Sequence, residues 1–423
     1  HVVACWRLNH VLFDFDSSVV TPGISAEVAR LAPIVKKHPD APASIFGHAD
    51  PVGDDDYNKV LSGRRAKAIY ALLTRRVDLW EELHANPHKG DTWGSRSIQI
   101  MLKHLEESPG VPFYTGKIDG IVGGGTTSGL QRFQAASGLP KTGAADKATR
   151  AALFRAYMDA VAISPSDQLV MEPTRFLGQG ADPDGKGDYQ GCSEFNPVLR
   201  FSQADEKRFA NAGDKTERNE QNAPNRRVML FLYRPGTKVS LEKWPCPRAK
   251  EGVEACKKVF WPDGDARRNA KEEERHYRLT KDTFACRFYD RFARLSPCEG
   301  IVKPTLRIHL FDRKRELILN ATWSVSTPDL PEPITGVAED GVAVVHNVPV
   351  PTTCTVQWSR PPKEGAPPRT GHEFELELFV DLAEKDKDEA AKRRLSNLGY
   401  VGDTLPDLVK GFQRTHGQEL TGD

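Results

Sequence analysis

Two short strings, Gly47-His48-Ala49-Asp50 and Asn58-Lys59-Val60-Leu61-Ser62-Gly63-Arg64-Arg65-Ala66, decide the fold of the N-terminal part of this chain. The first string directly follows residues 43–46, Ala-Ser-Ile-Phe, which are predicted to form a strand. An acidic loop separates it from the second string, which enters a helix with Ala66, Ile69 and Leu73 at buried spacing. Ser62 is the predicted N-cap of this helix.

The residues upstream predict one further strand and one further helix. Val11, Phe13 and Phe15 fall on one face of an extended segment, with Asp14 and Asp16 on the other, which is the pattern of a half-buried strand. A helix is predicted to begin after Ser25, and Pro33 predicts a kink or an early end. The resulting order is β–α–β–α.

This order, together with the two strings, resembles the OmpA C-terminal-like domain, whose members bind peptidoglycan non-covalently. The family pattern reads G-H-T-D-x-x-G and then N-x-x-L-S-x-x-R-A. The chain matches every position except the Thr, which is Ala49 here.

The resemblance implies a site for the diaminopimelate of the peptidoglycan stem peptide. Asp50 would take its ammonium group, and Arg65 would take its carboxylate with a two-pronged guanidinium. The alternative from residue types alone is that Asp50 caps a loop and Arg65 forms a surface ion pair. The residues expected to support the site are Gly47, His48, Asn58 and Leu61.

The last strand of such a domain, N-R-R-V, appears far downstream, within 225–232. Before it, the segment 176–180 resembles the glycine-bearing segment that precedes the last helix of the family. We therefore expect a split domain, with residues 1–90 as its first part and 165–235 as its second part. Residues 91–164 would be an inserted module, because surface loops with neighbouring ends tolerate insertion.

The expected insertion has its own pattern of residues. A helical stripe at Ile98, Leu102 and Leu105 precedes a turn at 119–123 and then the string 133–143, F-Q-x₃-G-L-x₂-T-G. The series resembles the peptidoglycan-binding-domain-1 family, a three-helix module. Leu130 and Phe133 are spaced as residues on the buried face of a helix are, so we expect them in the core of the module. The sequence does not indicate which side chains of the module would contact a ligand.

Residues 412–422 repeat the F-Q-x₃-G-x₃-T-G spacing of that module. We interpret 389–423 as an incomplete second copy, without the Asp-Gly turn of the first. The missing final helix, the odd cysteine count and a first residue that is His rather than Met predict that the chain is part of something longer.

The segment 236–300 is rich in charge and cysteine. Its cysteines lack the C-x₂₋₄-C spacing of structural zinc sites, so disulfides 246–256 and 286–298 are favoured, with zinc or buried free thiols as alternatives. The four cysteines are Cys246, Cys256, Cys286 and Cys298. A small local core is predicted from Trp244, Phe260, Trp261, Phe284 and Phe288.

In residues 301–388, apolar side chains recur at every second position, in runs at 306–310, 354–358 and 374–380. Pro-rich turns between these runs predict a small antiparallel β-sandwich, immunoglobulin-like or transthyretin-like. The whole chain is thus predicted to be a multidomain α+β protein.

Composition excludes some classes of partner. The 423 residues carry 59 basic and 58 acidic side chains, a net charge of +1, which disfavours nucleic acid. No apolar run reaches the length of a membrane span. The pair His84 and His88 encloses a helix-breaking Pro, and Cys192 lacks a nearby His, so neither pattern predicts catalysis. Cys5 follows Val2-Val3-Ala4, which fits a lipoprotein cleavage box loosely. A strand that starts at Trp6 would leave no tether between a lipid anchor and the domain.

We therefore expect a non-catalytic peptidoglycan-binding protein of the periplasm or cell envelope, without cofactor or metal. An extracellular or particle-associated location is the alternative. Two other functions stay open: the targeting part of a cell-wall hydrolase or amidase whose catalytic domain lies outside this chain, or an envelope-docking subunit of a phage-like contractile injection or secretion machine.

Overall fold

The computed structural model describes residues 1–423 except 10–11, 15, 165–166, 270–272, 274, 279–280, 295, 301–305, 329–332, 346–347, 349–351, 363–370, 381–386 and 423. The chain divides into two compact units, His1–Gly300 and Ile301–Asp423. It is a mixed α and β protein with several small sheets.

The first unit contains the following strands and helices in chain order: β1 (Val2–Asn9), α1 (Ile24–Lys37), β2 (Ala43–His48), α2 (Asp55–Thr74), α3 (Val77–Ala85), α4 (Ser95–His104), β3 (Glu106–Ser108), β4 (Val111–Pro112), α5 (Gly124–Ala136), α6 (Lys147–Val161), β5 (Ile163–Ser164), β6 (Asp167–Gln168), β7 (Tyr189–Gly191), β8 (Leu199–Arg200), α7 (Gln203–Phe209), α8 (Lys215–Gln221), β9 (Arg227–Tyr233), α9 (Gly252–Lys257), α10 (Gly264–Asn269), β10 (His276–Tyr277), α11 (Arg287–Ala293) and α12 (Pro297–Gly300). Short 3-10 turns occur at Pro173–Arg175, Ala212–Asp214, Ala223–Asn225 and Ala249–Glu251.

The main sheet has the strand order β1-β9-β2-β7. Strand β9 lies between β1 and β2 and is antiparallel to both, whereas β2 and β7 are parallel. All seven residues of β9 are buried, as expected of a central strand covered on both faces. The sheet thus takes strands from both sides of the helical segment 91–164.

One face of the sheet packs on α1 and α2, and this core continues into the helical segment. Ile45 and Leu230 point to this face and belong to the same apolar cluster as Trp80 and Phe154. The Trp80 ring lies 5.0 Å from that of Trp93, centroid to centroid, in an edge-to-face arrangement. Residues 91–164 therefore share their core with the sheet.

The opposite face is covered by the segment 236–300. Phe46 and Phe231 point to this face, where the Tyr289 ring lies 5.4 Å from that of Phe46. Trp244 and Phe284 join this cluster and Phe288 packs against it, so these three aromatic residues pack on the sheet. The reason is the period-two alternation of β2 and β9, which presents apolar side chains to both faces. Phe260 also packs against a second, small cluster of Phe195, Val253, Cys256 and Ala285.

The predicted disulfides 246–256 and 286–298 are wrong. Cys298 is bonded to Cys5 of β1, which ties α12 to the sheet. Cys246, Cys256 and Cys286 are buried thiols, the third of the alternatives considered for this segment. Sequence proximity was a poor guide because the partner comes from the opposite end of the unit.

The first strand and the first helix also differ from the sequence prediction. The first strand is Val2–Asn9, before the predicted one. Phe13 makes an isolated bridge with Val20, while Val11 and Phe15 lie outside the described residues. Helix α1 does not end early but continues through Pro33 to Lys37, with Gly23 rather than Ser25 at its N-cap. Pro33 is exposed, so water can satisfy the carbonyl that loses its partner.

Helix α2 begins earlier than predicted. Its N-cap is Asp54, whose carboxylate accepts a hydrogen bond from the backbone N–H of Tyr57 at 2.9 Å. Ser62 is therefore not a cap but a buried residue inside the helix, and its hydroxyl accepts a bond from Ser193 N. Acidic residues favour the first turn of a helix, so the predicted acidic loop forms that turn.

The second unit contains β11 (Leu306–His309), β12 (Ala321–Ser326), β13 (Ile334–Ala338), β14 (Val342–Val345), β15 (Thr352–Ser359), β16 (Phe374–Val380), α13 (Lys387–Asn397) and α14 (Leu405–Thr415). A four-stranded antiparallel sheet has the order β13-β12-β15-β16, and β11 pairs with β14. The predicted runs 306–310, 354–358 and 374–380 fall on β11, β15 and β16. Cys354 and Val356 of β15 lie in the apolar core between these strands. The immunoglobulin-like or transthyretin-like type stays a prediction.

None of the helices described above combines the length and the apolar character that crossing a bilayer requires.

Candidate functional site

A cavity of about 630 Å³ opens in the first unit at the end of β2. Its walls come from three parts of the chain: the loop after β1, the β2–α2 connection with the start of α2, and the region from α8 to β9. The lining residues are Phe13, Asp14, Asp16, Ala49, Asp50, Val52, Tyr57, Asn58, Leu61, Arg65, Thr216, Arg218, Asn219, Glu220 and Arg226.

Asp50 lies directly after β2, and its carboxylate is held by two partners. The backbone N–H of Val52 donates to Oδ1 at 3.0 Å, and the Arg226 guanidinium donates to Oδ2 at 2.5 Å. The Asp50 and Arg226 side chains are only 12% and 14% exposed. Asp50 thus caps its own loop through Val52 N–H, as the alternative interpretation expected, and is in addition a partly buried carboxylate paired with Arg226.

Arg65 lies in the middle of α2 and faces the same cavity. Its Nε donates to the backbone oxygen of Ser17 at 3.0 Å, and its guanidinium stacks over the Phe13 ring. Burial lowers the pKa of Arg65 to about 10, and Arg226 adds to the effect, so the group is still charged at neutral pH. Among the described residues, none accepts a hydrogen bond from its two terminal nitrogens. Arg65 therefore does not form the surface ion pair of the alternative interpretation.

Asn58 connects the Asp50 loop to α2. Its side-chain amide donates to the backbone oxygens of Asp50 and Val52, each at 3.2 Å, and to the Glu194 carboxylate at 2.7 Å. Glu194 in turn accepts a bond from Arg268 at 3.3 Å. Glu194 thus acts as a positioning residue that orients Asn58, which orients the loop carrying Asp50.

Replacement of Glu194 by Gln is expected to change how stability depends on pH. Burial raises the pKa of Glu194 to about 7, against about 4.5 in an unfolded chain, and Asp55 adds to the shift. Because the folded state favours the protonated form, the wild type loses stability as pH rises from 4.5 to 7. Between pH 5 and pH 8 the E194Q variant should gain about 1–3 kcal/mol relative to wild type.

Urea unfolding at both pH values measures this difference. Glu254→Gln, in an exposed pair with Lys257, is the control, and should show no such gain. An equal stability difference at pH 5 and pH 8 would contradict the assignment.

The other expected supporting residues differ in their placement. Leu61 lines the cavity. Gly47 does not, but a Cβ on it would lie 1.9 Å from the backbone oxygen of Ser62, so Gly47 lets α2 approach β2 closely. His48 is fully buried below the cavity, 4.6 Å from the Tyr289 ring. Burial, together with Arg227 and Arg7, holds the pKa of His48 well below its usual range, so it is neutral at pH 7.

Several cavity residues had no role in the sequence interpretation. Arg226 was noted only as part of a strand, although its place in the N-R-R-V string was a usable signal. Arg218 and Glu220 come from the α8 region, which has no motif. Tyr57 donates from its hydroxyl to Asp16 at 2.7 Å, and this contact depends on the fold alone.

The helical segment is organised around two buried glutamines. The Gln134 amide donates to the hydroxyls of Thr142 and Thr149, each at 2.9 Å, and its oxygen accepts from Gly143 N. Gln99 holds the Asp119-Gly120 turn in a similar way. The F-Q and T-G positions of the motif therefore close a turn, and Leu130 and Phe133 are buried in the core, as their spacing predicted.

Two of the side chains considered for catalysis or metal binding, His88 and Cys192, have defined surroundings. The His88 ring stacks on Tyr57 at 5.6 Å, and Cys192 is a buried thiol. Within the part of the chain that the structure describes, no cluster of three or more His, Cys, Asp or Glu side chains is arranged to hold a metal ion.

Comparison with protein families identifies two segments. A model of the OmpA family matches residues 12–78, and a model described as a putative peptidoglycan binding domain matches residues 95–153. Both resemblances seen in the sequence are confirmed by these matches.

Curated relatives are similar to stretches of 63 to 82 residues of this chain. Outer membrane protein 41 of Porphyromonas gingivalis is 40% identical over 82 residues, which are 19% of this chain and 21% of that protein. Outer membrane porin F of Pseudomonas aeruginosa is 43% identical over 63 residues, 15% of this chain and 18% of the porin. A peptidoglycan-associated lipoprotein of Brucella melitensis is 32% identical over 68 residues, 16% of this chain and 40% of the lipoprotein.

The match spans about a fifth of the first two relatives, so it concerns one segment and not whole proteins. The segment 12–78 that matches the OmpA family contains the β2–α2 connection and the cavity residues Asp50 and Arg65. The chain thus carries an OmpA-family segment at residues 12–78 and a putative peptidoglycan-binding domain at residues 95–153.

Proposed function

We propose that this protein binds peptidoglycan non-covalently and that the cavity at the end of β2 takes the diaminopimelate of the stem peptide. The observation that carries the proposal is the joint presence of Asp50 and Arg65 in one cavity, on the segment that matches the OmpA family. A free diaminopimelate end presents one ammonium beside one carboxylate. A partly buried acid and a partly buried base in one cavity suit such a zwitterion.

Binding would rearrange the charges of the cavity. The ligand ammonium would share the Asp50 carboxylate with Arg226. The ligand carboxylate would accept hydrogen bonds from the terminal nitrogens of Arg65. A guanidinium presents two parallel N–H donors to a carboxylate, so Arg65 supplies geometric selection as well as charge. Arg226 acts as a positioning residue that holds Asp50 in place.

We also propose that the OmpA-like domain is split around the helical module. The central position of β9 between β1 and β2 supports this proposal, since the sheet is incomplete without residues beyond 165. Arg226, immediately before β9, reaches Asp50 of the first part. The second part would then contribute directly to the site.

A partial second module at 389–423 is supported by matching hydrogen bonds. The Gln413 amide donates to the Thr421 hydroxyl at 2.8 Å, as Gln134 donates to Thr142. The Gln413 oxygen accepts from Gly422 N at 3.1 Å, as Gln134 accepts from Gly143 N. We propose that both segments are copies of the same turn. Two wall-binding modules on one chain would increase avidity through effective concentration.

The binding is proposed to be non-catalytic and to occur at the cell envelope, in the periplasm, with an extracellular or particle-associated location as the alternative. The names of the relatives, two outer membrane proteins and a peptidoglycan-associated lipoprotein, support an envelope location. Two functions stay alternatives: targeting of a hydrolase or amidase, and docking of a contractile injection machine. Both would use the same cavity.

Sedimentation with insoluble sacculi tests the proposal. We expect the protein to pellet with sacculi that contain diaminopimelate, and to pellet less with lysine-type sacculi, which lack the extra carboxylate. Equal pelleting with both would contradict the diaminopimelate site. Zymography in peptidoglycan gels tests the enzyme alternative, because a lytic band from this chain would contradict a purely binding role.

A further inference from the structure

A second groove of about 330 Å³ adjoins the first cavity. It lies between the loop that leads into α1 and the side of α4, where the helical module meets the sheet domain. The lining residues are Asp14, Thr21, Pro22, Arg96, Ile100, Lys103, His104 and Ile118. Asp14 lines both spaces, so the groove and the cavity share one wall residue.

The groove combines an apolar floor with an excess of positive charge. Ile100 is buried at its base. The Arg96 guanidinium pairs with Asp14, Nη2 to Oδ1 at 2.9 Å, which neutralises one charge of each sign. Lys103 is exposed and donates to the backbone oxygen of Gly116 at 3.2 Å. Since an ammonium has three donors, Lys103 can also serve an anion in the groove.

His104 completes this wall. Its ring packs edge-to-face on Tyr157, with centroids 5.5 Å apart. Burial lowers the pKa of His104, so the ring is neutral at pH 7 and the net charge of the groove comes from Lys103. The groove is therefore suited to one carboxylate beside a short apolar group.

We propose that this groove binds a second carboxylate of the same stem peptide, that of the isoglutamyl residue next to diaminopimelate. The inference rests on the proposed function, because the diaminopimelate residue must occupy the first cavity. The free end of diaminopimelate is separated by three methylenes from the carbon that carries the isoglutamyl link, and that link adds two methylenes to the ordinary Cα–Cα spacing of about 3.8 Å. With the free end at Asp50 and Arg65, the isoglutamyl carboxylate therefore falls outside the cavity, where the groove that shares Asp14 can take it.

The proposal gives the helical module a role in recognition. Lys103 belongs to α4 of that module, whereas Asp50 and Arg65 belong to the sheet domain. The insertion would then enlarge the binding site and select a charged stem peptide over free diaminopimelate. An isoglutamine at the same position of the stem would lack the charge that Lys103 recognises.

Isothermal titration calorimetry on the full chain tests this inference. The ligands are free meso-diaminopimelate, the tripeptide L-Ala-γ-D-Glu-diaminopimelate, and the same tripeptide with isoglutamine. We expect the acidic tripeptide to bind about fivefold more tightly than the amidated one, the gain typical of one partly exposed ion pair. Lys103→Gln should abolish this preference and leave the affinity for free diaminopimelate unchanged.

Lys141→Gln is the matched control, since Lys141 is an exposed lysine of the same module that lines neither space. It should keep the full preference, and Lys103→Glu should reverse it. If wild type binds both tripeptides equally, or K103Q keeps the preference, the groove assignment is wrong while diaminopimelate binding stands. If none of the three ligands binds, the first cavity is wrong as well.

Discussion

Arg65→Ala should weaken binding to diaminopimelate-containing sacculi by about 10- to 100-fold, because it removes a charge-assisted contact of roughly 1.5–3 kcal/mol. The Arg65 side chain is buried, stacks over the Phe13 ring and lines the cavity. Asp50→Asn should cause a loss of similar size, since it keeps the shape of the side chain but removes the charge that attracts an ammonium. Sedimentation over a range of sacculus concentrations measures both.

Three controls separate binding from folding. Arg65→Lys keeps the charge without the planar fork and should retain part of the affinity. Arg76→Ala removes an arginine just beyond the C-terminal end of α2, in an exposed pair with Asp78, and should bind as wild type does. Thermal unfolding shows whether each variant is folded. Folded R65A and D50N proteins that pellet as wild type does would show that the proposed site is wrong.

Glu299→Ala should be the most destabilising of the substitutions considered, with a loss of about 3–5 kcal/mol in the free energy of unfolding. Glu299 is 2% exposed and accepts two bonds from the fully buried Arg227, Nε to Oε2 at 2.9 Å and Nη2 to Oε1 at 2.8 Å. It also accepts a bond from the Tyr289 hydroxyl. Alanine would leave a buried guanidinium without its counter-ion. Urea unfolding measures the loss.

A double variant tests the mechanism of this loss. Arg227→Met combined with Glu299→Met removes both charges and should be less destabilised than Glu299→Ala alone, because no unpaired charge is left. Glu254→Ala, at an exposed ion pair with Lys257, should cost less than about 1 kcal/mol. A double variant as unstable as E299A would indicate that packing, and not the unpaired charge, dominates.

The cavity could be predicted only in part from the sequence. Asp50 and Arg65 stand in continuous strings with fixed spacing, so both were found without coordinates. Arg226 and Glu194 lie far from them along the chain. Arg226 stands in the N-R-R-V string, which predicts a strand but not its contact with Asp50, and no local pattern marks Glu194. Their roles depend on two long-range contacts, Arg226 with Asp50 and Glu194 with Asn58.

The cysteines show the same limit. Spacing favoured pairs inside 236–300, but Cys298 is bonded to Cys5 because α12 packs against the first strand. A local rule cannot detect a bond that joins the two ends of a unit. The start of α2 was missed for a different reason, since an acidic run is compatible both with a loop and with the first turn of a helix.

The sequence by itself determined the β–α–β–α order, although with the first strand misplaced, the two family resemblances and the two cavity residues Asp50 and Arg65. These features depend on residue types at short, fixed separations, which local backbone geometry converts directly into strands, helices and turns. Only the tertiary structure decided which distant segments complete the site. Arg226, immediately before β9, contacts Asp50, and α4 places Lys103 in the groove that shares Asp14 with the cavity. The physical reason is that apolar side chains are buried on both faces of the sheet. The hydrophobic effect does not depend on how far apart the buried residues are in the sequence, so distant segments come together.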